Sequence, residues 1–135
     1  MLELMKSRTR EHTRYAKAIM LKLIKRYWVS ITVLLVILIT ILSLHPLETL
    51  PEVPGSDKTH HIVAYCALAF PVAFRKYKGW QLLITCLAFY SGLIELIQPY
   101  VNRYTDLVDF FANCCGLAIG IGAAIIANKI EDINA

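Results

Sequence analysis

DLVDFFANCCGLAIGIGAAIIA, residues 106–127, is the stretch whose reading decides the fold. It is long enough to cross a bilayer, for which a helix needs roughly 20 mainly apolar residues. Yet Asp106, Asp109 and Asn113 stand in its opening turns. On a helix these three share a stripe with Gly116, and the stripe runs on through Gly120 and Ala124. The small residues allow a neighbouring helix to approach closely in lipid. The acids above them require a protein interior or a wet cavity, which makes them a functional-site hypothesis.

Three further apolar stretches lie upstream, at residues 27–44, 59–74 and 80–98. With 57% hydrophobic residues and a mean hydropathy of +0.54, the 135-residue chain is too apolar for an ordinary soluble domain. The expected fold is all-α, an integral membrane four-helix bundle with a basic amphipathic N-terminal segment. The stretch at 59–74 is the shortest, and Pro71 within it is tolerated where neighbours satisfy the freed carbonyl. The first stretch reads as an uncleaved anchor: its basic leader is long, and no small-x-small pattern precedes Leu44-His45-Pro46. Cys66, Cys86, Cys114 and Cys115 fall inside apolar stretches and read as small packing residues. The expected divisions are a leader at 1–26, a four-span domain at 27–127 and a tail at 128–135.

Charge sets the expected orientation. Of 14 Lys and Arg residues, eight precede the first span: Lys6, Arg8, Arg10, Arg14, Lys17, Lys22, Lys25 and Arg26. Arg75, Lys76 and Lys78 lie between the second and third spans, whereas the other two connections hold only Lys58 and Arg103. Basic loops favour the cytoplasm, so both termini and the second connection are expected there. The leader mixes Leu2, Met5, Tyr15, Ile19, Met20, Leu23 and Ile24 with its cations, a composition suited to anionic lipid. The net charge of +4 is thereby explained, and nucleic acid is not an expected partner. In the connection 45–56, Pro46, Pro51, Pro54 and Gly55 stop helix formation, and Glu48 and Glu52 keep it wet.

This topology gathers the chemistry at one end. Asp57, His61 and Tyr65 stand at i, i+4 and i+8. Glu95 and Gln98 close the third span, with Gly92 one turn deeper to admit a neighbour, and Arg103 precedes the fourth. Asp57, Asp106 and Asp109 also complement the positive ends of helix dipoles. Glu95, near a helix C-terminus, has no such reason and needs a partner: Arg103, Lys58 or a protonated His61. His60 points elsewhere, and the spacing of His61, Glu95, Asp109 and Asp57 is not diagnostic of metal. Neither a metal nor a cofactor is expected. No nucleophile elbow, phosphate-binding glycine loop or zinc-protease motif appears, and Ser56 and Ser91 lack the context of a nucleophile.

Taken in order, Asp57-Lys58-x-x-His61-x-x-Ala64-Tyr65, Gly92-x-x-Glu95-x-x-Gln98 and Arg103-x-x-Asp106-x-x-Asp109-x-x-x-Asn113-x-x-Gly116 resemble the VanZ-like family, membrane proteins associated with teicoplanin resistance. The resemblance covers roughly residues 57–120 and three helices in the family's order; the first span matches only in general character. It implies a small protein, often of four spans, in the bacterial cytoplasmic membrane. It also implies a link to reduced glycopeptide susceptibility.

Three functions are compatible with these residues. The first is binding of an anionic lipid head group or lipid-linked cell-wall precursor by Arg103, Lys58 and His61, with carboxylates orienting the cations. The second is an intramembrane enzyme on lipid phosphates, with His61, Glu95 or Asp109 as acid or base. The third is proton-coupled transport, for which four helices would need an oligomer. Binding ranks first, and membrane lipid is the expected partner.

Overall fold

The computed structural model describes residues 1–45, 57–103 and 106–133. Among them are four α-helices and no strand: α1 (Leu2–Leu44), α2 (Asp57–Arg75), α3 (Trp80–Ile97) and α4 (Leu107–Ile133). A 3₁₀ turn, Gln98–Val101, follows α3. The proline-rich connection at 46–56 and residues 134–135 of the expected tail lie outside the described residues. Residues 128–133 continue α4 as helix.

Three helical stretches are long and apolar enough to cross a membrane: Tyr15–Leu44, Trp80–Val101 and Leu107–Ile133. α2 is not among them, and packing supplies the reason. It lies mainly against α4, then α1, then α3. Tyr65, Leu68, Ala69, Val72, Ala73 and Phe74 are all buried along it. A helix covered by protein on this scale can keep a polar opening turn that a lipid-facing helix cannot. By contrast, Leu82, Phe89 and Leu96 on α3 are 68%, 73% and 66% exposed. Apolar faces so extensive mark a surface that meets lipid.

The α2–α4 seam is built on missing side chains. A Cβ at Gly116 would stand 2.5 Å from the Ile62 carbonyl oxygen, and one at Gly120 would strike the carbonyl oxygen of Cys66. Only hydrogen fits at either position. Deeper still, Asn128 donates its amide to the Phe74 carbonyl at 3.1 Å.

α1 is continuous from the leader into the apolar run but bends at Tyr27, where φ is −106° and ψ 19°. Contacts on both sides pin the bend. Lys25 pairs with Glu131 of α4 and lies over the Phe74 ring at 4.6 Å, and Trp28 stacks on Tyr77 at 5.8 Å. This is the basic end of the bundle. Halfway along, Tyr90 donates to the Val36 carbonyl and meets the Thr40 hydroxyl at 2.8 Å, which ties α1 to α3. The other end gathers the close of α1, the start of α2, the close of α3 and the start of α4.

Candidate functional site at the polar end

Asp106 precedes α4 and caps it, its Oδ1 accepting from the Val108 N–H at 2.9 Å. Its other oxygen accepts from Lys58 at 2.6 Å, and Lys58 also donates to Asp109 Oδ1 at 2.6 Å. One ammonium thus bridges a half-exposed carboxylate and a buried one. The two hydrogen bonds, to Asp106 and then Asp109, hold the Lys58 ammonium above its ordinary pKa range. The Lys58 bond and the Val108 N–H hold the Asp106 carboxyl below its own.

One turn further in, His61 Nδ1 meets Asn113 Oδ1 at 2.9 Å, and Asn113 Nδ2 donates to Glu95 Oε1 at 3.2 Å. The amide can serve both neighbours only in one sense: it donates to the carboxylate and accepts from the imidazole. His61 therefore carries a proton on Nδ1. Its Nε2 faces Asp57 Oδ1 and Asp109 Oδ2, each at 3.9 Å. Asn113 is fully buried, and Glu95 and Asp109 are 4% and 5% exposed.

Below this layer Tyr65 and Ser91 lie side by side, both buried. Neither hydroxyl completes a well-formed hydrogen bond among the described residues, and Gln98 Oε1 shares that condition. Tyr65 lies eight residues beyond Asp57. At about 1.5 Å per residue, polar groups therefore descend roughly 12 Å from the start of α2.

Of the residues singled out in the sequence, Lys58, His61, Glu95, Asp106, Asp109 and Asn113 are linked in this way. Asp57 stands at the rim, its side chain 60% exposed. Two others turn elsewhere. Gln98 donates to the Ser43 carbonyl at 3.4 Å, and Arg103 Nη1 donates to the carbonyls of Leu42 and His45 at 2.9 and 3.1 Å. Of the three partners expected for Glu95, Arg103 and Lys58 bond elsewhere, whereas His61 reaches it through Asn113, which donates to Glu95. Chain reversal explains the Arg103 placement: the 3₁₀ turn ends on Asn102 in a left-handed conformation, φ 57°, beside the end of α1. Gly92 is less demanding than Gly116, since a Cβ there would meet the Phe110 ring at an ordinary 3.5 Å.

Ser91, set aside in the sequence only as lacking the context of a nucleophile, belongs to this buried polar layer. Its signal was its place four residues before Glu95 and seven before Gln98, on the same helical stripe.

Beside the cluster, α3 and α4 enclose a shallow apolar groove of about 570 Å³, lined by Thr85, Ala88, Phe89, Gly92, Leu93, Leu96 and Phe110. Gly92 and Phe110 are near neighbours in sequence of Glu95 and Asp109.

Helices with outward apolar faces around a buried polar cluster define a multi-pass membrane protein. The family model described as VanZ/LLP1 matches residues 2–128, and the chain belongs to that family. No curated protein and no solved structure matches the chain.

Proposed function

We propose that the polar end receives the head group of an anionic lipid or lipid-linked cell-envelope precursor, at the outer side of the bacterial cytoplasmic membrane. The observation that carries this reading is the juxtaposition of an ordered polar network with the apolar groove between α3 and α4. An amphiphile needs both. Lys58 is suited to phosphate because an ammonium has three donors, and two of them are committed to Asp106 and Asp109. The outward orientation rests on the concentration of Lys and Arg in the leader and the α2–α3 connection.

Asn113 favours a second reading. By fixing the proton on His61 Nδ1 it leaves Nε2 directed at the two aspartates, the arrangement of a positioned acid or base. The second reading is an enzyme acting on a lipid phosphate.

Purified protein in nanodiscs, incubated with labelled phosphatidylglycerol or polyprenyl phosphate, separates the two. Retention of unchanged lipid that falls in His61→Ala and Lys58→Met supports binding. Turnover abolished by Glu95→Gln or His61→Ala rejects the binding-only view, and neither retention nor turnover rejects both. The family's association with teicoplanin resistance extends to this chain if expression lowers teicoplanin susceptibility. Unchanged susceptibility removes that part.

A further inference from the structure

We propose that Asp57, His61 and Asp109 form a binding site for one divalent metal ion of the Mn²⁺ or Zn²⁺ type. Each residue offers one ligand atom, and the three atoms lie within 4.8 Å of one another. His61 Nε2 stands 3.9 Å from an oxygen of each aspartate, too far for a hydrogen bond. Metal–ligand bonds of about 2.0–2.2 Å place two ligand atoms of one ion up to roughly 4.4 Å apart. The observed separations need only a modest contraction, and Asp57, at the exposed rim, is free to make it.

The direction of the imidazole is the stronger argument. Asn113 gives its N–H to Glu95 and its oxygen to His61 Nδ1, so the ring turns its other nitrogen, Nε2, toward two carboxylates. These three groups converge with no hydrogen bond between them. A cation at their centre would be held by all three. A ligating imidazole characteristically donates its other N–H to a fixed acceptor, which is the part Asn113 plays.

Lys58 does not compete for the position. It occupies Asp109 Oδ1, whereas Oδ2 is the oxygen that faces His61. One nitrogen and two carboxylate oxygens suit Zn²⁺, Mn²⁺ or Fe²⁺ and not the thiolate-seeking ions. Three protein ligands leave coordination positions open toward the rim, where water or a phosphate oxygen would complete the shell. The site stands on this geometry and does not require the lipid reading. Where both hold, the ion supplies the positive charge that lets a phosphate approach a group of carboxylates.

The test uses the full chain without an affinity tag, purified in detergent and stripped with chelator, with added Mn²⁺ followed by the paramagnetic resonance signal of the free ion. The expected result is one Mn²⁺ per chain, displaced by Zn²⁺. Asp57→Asn and His61→Gln each weaken binding about tenfold or more, and Asn113→Leu weakens it about 10–100-fold as an outer-shell change. Asp132→Asn, in the last turn of α4 at the opposite end, leaves it unchanged. Asp57 is solvent-facing, so its variant is expected to fold whatever happens to the others. Absence of stoichiometric uptake of either ion, or uptake indifferent to Asp57→Asn, overturns the site. Lipid retention by metal-free protein, measured separately, shows whether the lipid reading survives that result.

Discussion

His61 meets Asn113 at 2.9 Å through Nδ1, the ring nitrogen that faces away from both neighbouring aspartates. Because Asn113 also donates to Glu95, one buried amide on α4 orders an imidazole on α2 and a carboxylate on α3. Replacing it with the near-isosteric Asn113→Leu removes both partners at once. The expected loss is about 1–3 kcal/mol, the cost of leaving buried polar groups unsatisfied. Denaturant unfolding in detergent reads it, and a variant as stable as the parent would show that the amide orders nothing.

Lys58 bridges Asp106 and Asp109, but the two carboxylates differ in burial: their side chains are 42% and 7% exposed. Lys58→Met strands the buried Asp109, whereas Asp106→Asn leaves Lys58 and Asp109 paired. The lysine variant should therefore have the lower melting temperature in detergent. The reverse order would place the important contact at the rim.

Gly120 and Gly122 offer a matched comparison on α4. A Cβ at Gly120 would strike the Cys66 carbonyl, and a Cβ at Gly122 would meet nothing within 4 Å. Gly120→Ala is expected to cost about 1–3 kcal/mol by overpacking. Gly122→Ala should be neutral or stabilising by roughly 0.5–1 kcal/mol, through relief of glycine's backbone entropy. Equal effects on unfolding would show that α2 and α4 do not meet at this seam.

Arg103 holds the carbonyls of Leu42 and His45 at the close of α1. Arg103→Met should raise amide hydrogen exchange in the last turn of α1, with little change at the basic end around Lys25. Exchange unchanged in that turn would detach Arg103 from α1.

Periodicity made much of this architecture legible. The stripe Asp106, Asp109, Asn113, Gly116, Gly120 is readable because a helix buried on one side repeats its demands every three or four residues. Asp57, His61 and Tyr65 follow the same logic on α2, and the structure turns His61 and Tyr65 inward. What spacing does not encode is partner choice between helices. Arg103 looked available to Glu95, but its direction depends on the left-handed Asn102 and on where α1 ends. Lys25 and Glu131 are separated by almost the whole chain, so no local pattern could pair them. The covered position of α2 was equally hidden, because a short apolar run with a polar start has the same appearance whether it faces lipid or protein.

The functional account depends most on the polar end opening to the outer side of the membrane. Tyr100, 88% exposed beside that end, and Lys78, exposed in the α2–α3 connection at the other, report on the two faces. In a variant lacking Cys66, Cys86, Cys114 and Cys115, a single cysteine is placed at one position or the other. Intact cells are then treated with a membrane-impermeant maleimide. The account predicts labelling of Tyr100→Cys in intact cells and of Lys78→Cys only after the membrane is opened. Labelling of Lys78→Cys in intact cells, with Tyr100→Cys protected, would contradict it.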